Sequence, residues 1–547
     1  MKSVSCPYAK DLTETEVEID KVGWQGATDW TSNFLRWAFA TSPGETGGVG
    51  FFTDACYDDK GRLRPYVKLS LVHKTCIGFS HPLFWKVFNQ CKGKKVVGGE
   101  ELDKLAHFIT KETPLTINED YKHQREIKKL CTRNLFSKPM VTRQFDDVYR
   151  TVGESIERSI SMSRESVNLS QAIIQLLSRA NSVALFGPHG SRAYDPIQEL
   201  LHETRWDQVA ESVEVIGKFV NEAVLFSPKY YAIRVVEGCL NLVKRTGLID
   251  EEQIPKVEYQ RHFKLLEEAT QWVRTASLKA LDSEVTPDID DKGNPIQGMI
   301  ELMLNSDIKY TDEQIDGMIR LILVVGQRTT AFTLEAAVRL LILLPEWQEK
   351  IYEEIQEKCP DGVITAETLK SLDTLERFML EVYRLNPAVL IQTRETAEEM
   401  KVGLVYKKGT SKLKNVKLLK GDSPVVDVSK IIVIPKGTTT AYIHLFAQRH
   451  PDIYKDYDPH EFEPDRFIDD DDLKTKKKSL RTFSGSPSNC CGEWLARDGT
   501  IPASIAYLVC NFIIGAKDVE KVQGMKIVGG AIATHDKELG EATLTRR

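Results

Sequence analysis

Cys490 and Cys491 stand side by side in a run of turn formers, Phe483-Ser-Gly-Ser-Pro-Ser-Asn-Cys490-Cys-Gly492-Glu-Trp-Leu-Ala496, that passes into a helix-like stretch. A cysteine just before a helix meets the positive end of the helix dipole and the N–H groups of the loop, and both favour thiolate over thiol. Thiolate is the form an iron ligand needs, and on haem iron it supplies electron density that favours O–O cleavage. Chemistry alone leaves open which of the two cysteines would do this. A plainer alternative is a cysteine pair that only packs in a turn.

Glu381-Val-Tyr-Arg384 is a second cluster, with a spacing of three that puts carboxylate and guanidinium on one helix face, where they pair. Such pairs are common on solvated helices and usually contribute little. Phe462-Glu-Pro464-Asp-Arg466-Phe467 and Gly326-Gln-Arg328-Thr329-Thr330 are two further groupings. A glycine followed by two threonines in an apolar helix is often a packing notch with hydroxyls bonded back to the helix.

Together, and in this order, these segments resemble the cytochrome P-450 family. Phenylalanine, cysteine seven residues later and glycine two beyond is similar to that family's haem-binding loop, which selects Cys490 as axial ligand, with Phe483 and Gly492 beside it. The Glu-x-x-Arg pair and the arginine of the Phe-x-Pro-x-Arg-Phe segment imply a structural network of Glu381, Arg384 and Arg466. The stretch at 326 to 330 is similar to the family's oxygen-binding segment. There the resemblance implies that Gly326 lets the helix bend, and that Thr329 assists proton delivery. Arg328 stands where the family usually has an acid, and an arginine stays protonated and cannot relay protons as a carboxylate does. Tyr121 and Arg125, in Tyr121-Lys-His-Gln-Arg125, and Arg394 resemble residues that reach the haem propionates. Ser488 takes a place that commonly holds Arg or His, so one propionate partner is expected to be missing.

The resemblance implies haem b as cofactor and a monooxygenase that inserts one oxygen atom into an apolar, lipid- or terpenoid-like molecule. Electrons would come from NADPH through a separate reductase, or from a ferredoxin. Leu185 to Arg192 and Leu372 to Pro387 resemble fungal members of secondary metabolism. Two alternatives are a peroxide-driven fatty-acid hydroxylase, in which Arg328 would grip a substrate carboxylate, or an oxygen-independent isomerase, and, of another class, a haem-binding sensor without turnover. Cys490-x-Gly-Glu-Trp494 resembles the peroxygenases, but they carry proline where this chain has Thr329.

Mostly helical elements must position these residues. Strand-like alternation over Gly61 to Val72 predicts some sheet before about residue 100. Helical spacing predicts helices over Phe145 to Ile160, Gln171 to Val183, Trp206 to Phe226, Gln260 to Leu281 and Leu372 to Leu385. Thr311-Asp-Glu-Gln314 has the form of a capping box that opens a helix running to about Leu344, ahead of Pro345. Such a helix would cross the molecule above the haem. Residues 396–430, polar and rich in lysine, are expected to form an irregular insertion. The expected fold class is mostly α with smaller β-sheets (α+β), one catalytic domain over 1–547, β-rich in 1–100 and helical from 101.

Composition excludes several classes. The chain has 547 residues, 41% of them hydrophobic, enough for a large core. A net charge of -6, from 73 basic and 79 acidic residues, gives no global attraction to nucleic acid. Ten scattered cysteines without a CxxC pair argue against a disulfide framework or zinc ribbon and fit a reducing, cytoplasmic compartment. Eleven histidines show no HExxH and no close cluster along the chain. Met1 to Trp24 lacks an apolar run, and no stretch is expected to span a membrane, so the chain reads as soluble. A surface patch touching a membrane remains compatible with that reading. Gly187-Pro-His-Gly-Ser-Arg192 and Gly47-Gly-Val-Gly50 are turns rather than phosphate cradles. The substrate is expected to lie among residues of Phe186 to Phe226 and near Val324.

Overall fold

The computed structural model describes residues 56–58, 62–71, 74–90, 121–161, 167–177, 180, 258–281, 297–408, 410, 412–419, 428–468, 471–485, 489–529, 532–535 and 539–547. The helix expected over Trp206 to Phe226, the turns at 47–50 and 187–192, and Ser488 lie outside these residues. The chain forms two compact units: Met1–Leu102 with Val389–Ser488 and Val528–Ala531, and Asp103–Ala388 with Asn489–Ile527 and Ile532–Arg547.

The first unit holds two sheets. Four strands are ordered Tyr66–Leu71, Lys74–Phe79, Thr439–Ile443, Ile391–Glu395, antiparallel except for the central parallel pair. The expected strand at 61–72 is thus the first half of a hairpin. Three more strands, ordered Leu413–Leu419, Met400–Tyr406, Lys430–Ile434, are antiparallel throughout. These correct the expectation of an irregular insertion. Met400, Val402, Leu404, Leu413 and Val416 are buried, while Lys401, Lys414 and Lys417 are exposed. The lysines are the solvent face of an ordinary half-buried sheet, and their number conceals the period of two. The buried face packs on Phe79, Phe84, Trp85 and Phe88. Phe79 and Phe84 stack with centroids 4.7 Å apart.

Helices dominate the second unit. Phe145–Ser161, Glu258–Leu281 and Asp373–Leu385 form close to where the periodicity predicts. The long helix is Asp312–Leu343, 32 residues or about 48 Å. Thr311 accepts from the Gln314 N–H and Gln314 accepts from the Thr311 N–H, so the capping box closes as expected. A second helix, Pro345–Lys358, follows with its proline in the first turn, where the missing N–H costs nothing. By length and composition the long helix is able to cross a membrane, the one among the described residues that is; yet 61% of its apolar window is buried inside the protein. Asp316 on it is paired with Arg274 at 3.0 Å and accepts from Gln271 at 2.7 Å, a polar seam suited to a core helix. Buried Gln348 ties the helix end to the C-terminal sheet, donating to Leu341 and Ile514 carbonyls, both at 2.8 Å, and accepting from the Ile514 N–H.

Candidate active site

Within the second unit the cysteine loop runs through Asn489 to Gly492 into a π-helical turn, Leu495–Thr500, and then the apolar helix Ile501–Asn511. Cys490 has an open face, but protein crowds its other sides, and this burial pushes its thiol up to about 11. The Gly492 N–H donates to the sulfur and acts in the opposite direction, with the smaller effect. This corrects the expectation that loop and helix alone make thiolate the preferred state: burial wins, and a cation on the sulfur is needed to reverse it. A Cβ on Gly492 would stand 4.0 Å from the Cys490 sulfur, an ordinary contact, so its backbone N–H matters more than its small size.

Cys491 points elsewhere. Its sulfur accepts a hydrogen bond from the Cys131 thiol, which draws Cys491 below the usual thiol range against a smaller effect of burial and lifts Cys131 well above it. Lys128, one turn before Cys131, adds a cation near both loop cysteines.

Glu381 and Arg384 are fully buried and form the expected fork: Arg384 Nε donates to Oε2 at 2.7 Å and Nη2 to Oε1 at 2.8 Å. This geometry is the strong, two-bond form of the pair. Arg466 belongs to the first unit, also buried, where Nη2 donates to the Asp458 and Glu461 carbonyls at 2.9 and 3.3 Å. At 326 to 330 both threonine hydroxyls are bonded back to the helix. Thr329 Oγ1 donates to the Val325 carbonyl at 3.1 Å and Thr330 Oγ1 to the Gly326 carbonyl at 2.8 Å. Both hydroxyl protons are therefore bound within the helix. Arg328 is half-buried, and Val325 is exposed at 52% in the middle of this largely buried helix.

In the first unit, Arg394 is buried in its strand beside Thr440, with its guanidinium 4.6 Å from the Phe88 ring. Phe483 is half-buried in a turn closed by the Ser484 N–H to the Arg481 carbonyl, and Ser484 takes a left-handed φ of 67°. Side chains of Tyr121 and Arg125 lie outside the described residues, although both fall on the helix Tyr121–Leu130.

Arg481 and Trp85 are missed by sequence reasoning. A Cβ on Gly485 would stand 3.1 Å from both Arg481 Nη1 and Trp85 Nε1, so a side chain there would press on both N–H donors. Arg481 also lies 5.3 Å over the Trp85 ring, burial lowers its pKa, and no carboxylate among the described residues pairs with it. A guanidinium partly stripped of water beside an indole N–H suits a carboxylate. The available signal was Arg481 two residues before Phe483, in the very loop that lacks a basic residue at 488. Within the second unit a sulfur donor with a supporting N–H suits haem iron, and within the first unit the guanidinium and indole suit a carboxylate.

The histidines do form one cluster in space. His81, His450 and Asp452 offer ligand atoms within 4.8 Å of one another. His81 Nδ1 accepts from the Leu83 N–H and His450 Nδ1 from the Asp452 N–H. Each neutral ring therefore keeps its proton on Nε2, the nitrogen a metal would need. His81 Nε2 faces Asp452 at 3.7 Å, beyond hydrogen-bond range, and neither His81 Nε2 nor His450 Nε2 has a hydrogen-bond partner among the described residues.

The cytochrome P-450 family profile matches residues 52–423 and 422–499, most of the chain, with Cys490 inside the second match. The chain belongs to the cytochrome P-450 family. Its cofactor is haem b with a thiolate on iron, and the mixed fold of helices and small sheets is that family's. Similar proteins include a probable cytochrome P-450 4p3 of Drosophila melanogaster, 29% identical over 28% of this chain and 25% of that protein. Cytochrome P-450 4c21 of Blattella germanica is 28% identical over 28% and 25%. A cytokinin hydroxylase of Arabidopsis thaliana is 26% identical over 28% and 24%. The chain thus spans about a quarter of the length of the curated relatives it matches.

Proposed function

We propose that the protein is a haem-thiolate monooxygenase that inserts one oxygen atom of dioxygen into an apolar small molecule, drawing electrons from NADPH through a separate reductase or a ferredoxin. The observation that carries this reading is Cys490, open on one face and supported by the Gly492 N–H, within the segment matched to the family. Bound haem supplies the chemistry of activating oxygen, which the protein's own side chains do not have.

Cys490 holds the cofactor through sulfur, with Phe483 and Gly492 shaping its loop. Arg394, Arg481 and Trp85, with Tyr121 and Arg125 from their helix, supply donors for its carboxylates. Glu381 and Arg384, with Arg466, keep the supporting framework rigid. Gly326 and Arg328 flank the substrate groove near Val324 and Val325. Thr329 moves a proton only after its hydroxyl turns away from the Val325 carbonyl, a bond worth about 1 kcal/mol. That cost is small enough for the threonine to serve. The six free cysteines among the described residues suit a reducing, cytoplasmic location.

One observation favours a second reading. With Arg328 in place of an acid and both threonines bonded to their own helix, the stretch is equally suited to peroxide, which arrives already carrying its protons. Purified protein offered a panel of lipids and terpenoids, with reductase plus NADPH and separately with hydrogen peroxide, separates the two. Product in the first arm supports monooxygenation, product in the peroxide arm alone supports the second reading, and silence in both leaves a haem-binding sensor.

A further inference from the structure

The hairpin of Met400–Tyr406 and Leu413–Leu419, with the turn between them, carries Lys401, Lys407, Lys408, Lys412, Lys414 and Lys417 and no aspartate, glutamate or arginine. All six lysines are exposed. Lys412 faces Asp452 at 3.9 Å, and the other five make no ion pair among the described residues. Register puts Lys401 and Lys417 diagonally on the outward face, with half-buried Val405, Leu419, Ile431 and Val433 around them. At the turn the Lys407 N–H donates to the Lys412 carbonyl at 2.9 Å, so two like charges stand across from each other. Opposed like charges weaken a hairpin, where a carboxylate in either place would strengthen it. Lysines on an edge strand also deter pairing with another chain, but Lys401 lies on the central strand of this sheet, and Lys407 and Lys408 lie in the turn.

We propose that this hairpin docks on the anionic headgroups of a lipid bilayer. Lysine is a compact, hydrated charge on a flexible stem, suited to a diffuse negative layer. Arginine suits fixed carboxylates and is the cation that protein interfaces favour, whereas lysine is depleted in them. Six lysines and no arginine therefore point to lipid rather than to an acidic protein. The half-buried aliphatic side chains between them add apolar area at the depth of the headgroups, and each lysine near a phosphatidylserine surface raises partitioning about fivefold. This local charge outweighs the net charge of -6 on the whole chain, because acids farther from the bilayer than a screening length of about 8 Å count little. The contact is peripheral and reversible, and nothing in it requires haem.

The test sediments the full-length protein with vesicles of phosphatidylcholine alone and of phosphatidylcholine mixed with phosphatidylserine. Expected are binding to the mixed vesicles, little to the neutral ones, and release by added sodium chloride. Replacing Lys401, Lys407, Lys408, Lys414 and Lys417 by glutamine should weaken binding by more than about tenfold. Replacing five exposed lysines elsewhere, Lys264, Lys279, Lys350, Lys474 and Lys526, makes the same change in net charge and should weaken it by less than about threefold. Equal loss in the two variants, equal binding to the two vesicles, or no binding to either overturns the proposal. In the last case, retention of the wild type but not of the hairpin variant on poly-L-glutamate would assign the surface to an acidic protein instead. Should the hairpin variant fold poorly, acetylation footprinting of the wild type decides: mixed vesicles should protect the same five lysines, and unchanged labelling overturns the proposal. Binding is read without turnover, so its failure is told apart from a failure of the haem-thiolate reading.

Discussion

Glu381 and Thr329 sit on two helices of the same unit, and each belongs to a motif of this family, yet the protein treats them in opposite ways. Glu381 is sealed from water, and Arg384, one helical turn away, donates two hydrogen bonds to its carboxylate. Thr329 is half-exposed and satisfied by a carbonyl of its own helix. A buried charge pair is locked because neither member tolerates losing the other, whereas a back-bonded hydroxyl is free to change partners at small cost. The motif that builds the framework is therefore complete within the chain, and the motif that handles protons is held ready but uncommitted.

The largest effect should come from breaking the first. Glu381→Ala leaves Arg384 charged and buried without its partner, and should cost about 3 to 5 kcal/mol in denaturant unfolding. A loss below about 1 kcal/mol would mean that the fork is not what holds this helix. His444 tests buried polar groups away from the motifs. Burial, with Arg481 nearby, lowers its pKa from 6.5 to about 3, so the folded protein keeps it neutral where the unfolded chain takes up a proton. The unfolded state then binds more protons, and this contribution to stability is lost as pH falls from 6.5 toward 3. His444→Phe, which keeps the packing against Trp85 and Tyr442, should flatten the fall of unfolding midpoint with pH across that window. An unchanged pH profile would show that His444 does not stay neutral. The smallest stability effect belongs to Thr329→Ala, which removes one helix-bonded hydroxyl and should change stability by about 1 kcal/mol or less. The same variant should raise oxygen consumed per product formed. Unchanged coupling would deny this threonine a part in proton delivery.

The parts of the site readable in the sequence are those built from residues near one another in the chain. The spacing of Glu381 and Arg384, the box at Thr311 and Gln314, and the loop from Phe483 to Gly492 each carry their geometry in a short segment. Parts assembled from distant segments stayed hidden. Trp85 and Arg481 meet at Gly485, and His81 meets His450, only because strands far apart in sequence share one sheet. The hairpin of Met400–Tyr406 and Leu413–Leu419 was obscured for a different reason, since lysines on its solvent face suggest a polar loop when composition is weighed before alternation. At Cys490 the expectation rested on the dipole and loop N–H groups, and the burial that outweighs them depends on packing.

The central claim is that the Cys490 sulfur binds the haem iron, and a carbon monoxide difference spectrum of the ferrous protein tests it most directly. The native protein and Cys491→Ser should both show the long-wavelength Soret band of a thiolate ligand, and Cys490→Ser should lose it. A native protein without that band, or a Cys490→Ser variant that keeps it, would contradict the assignment.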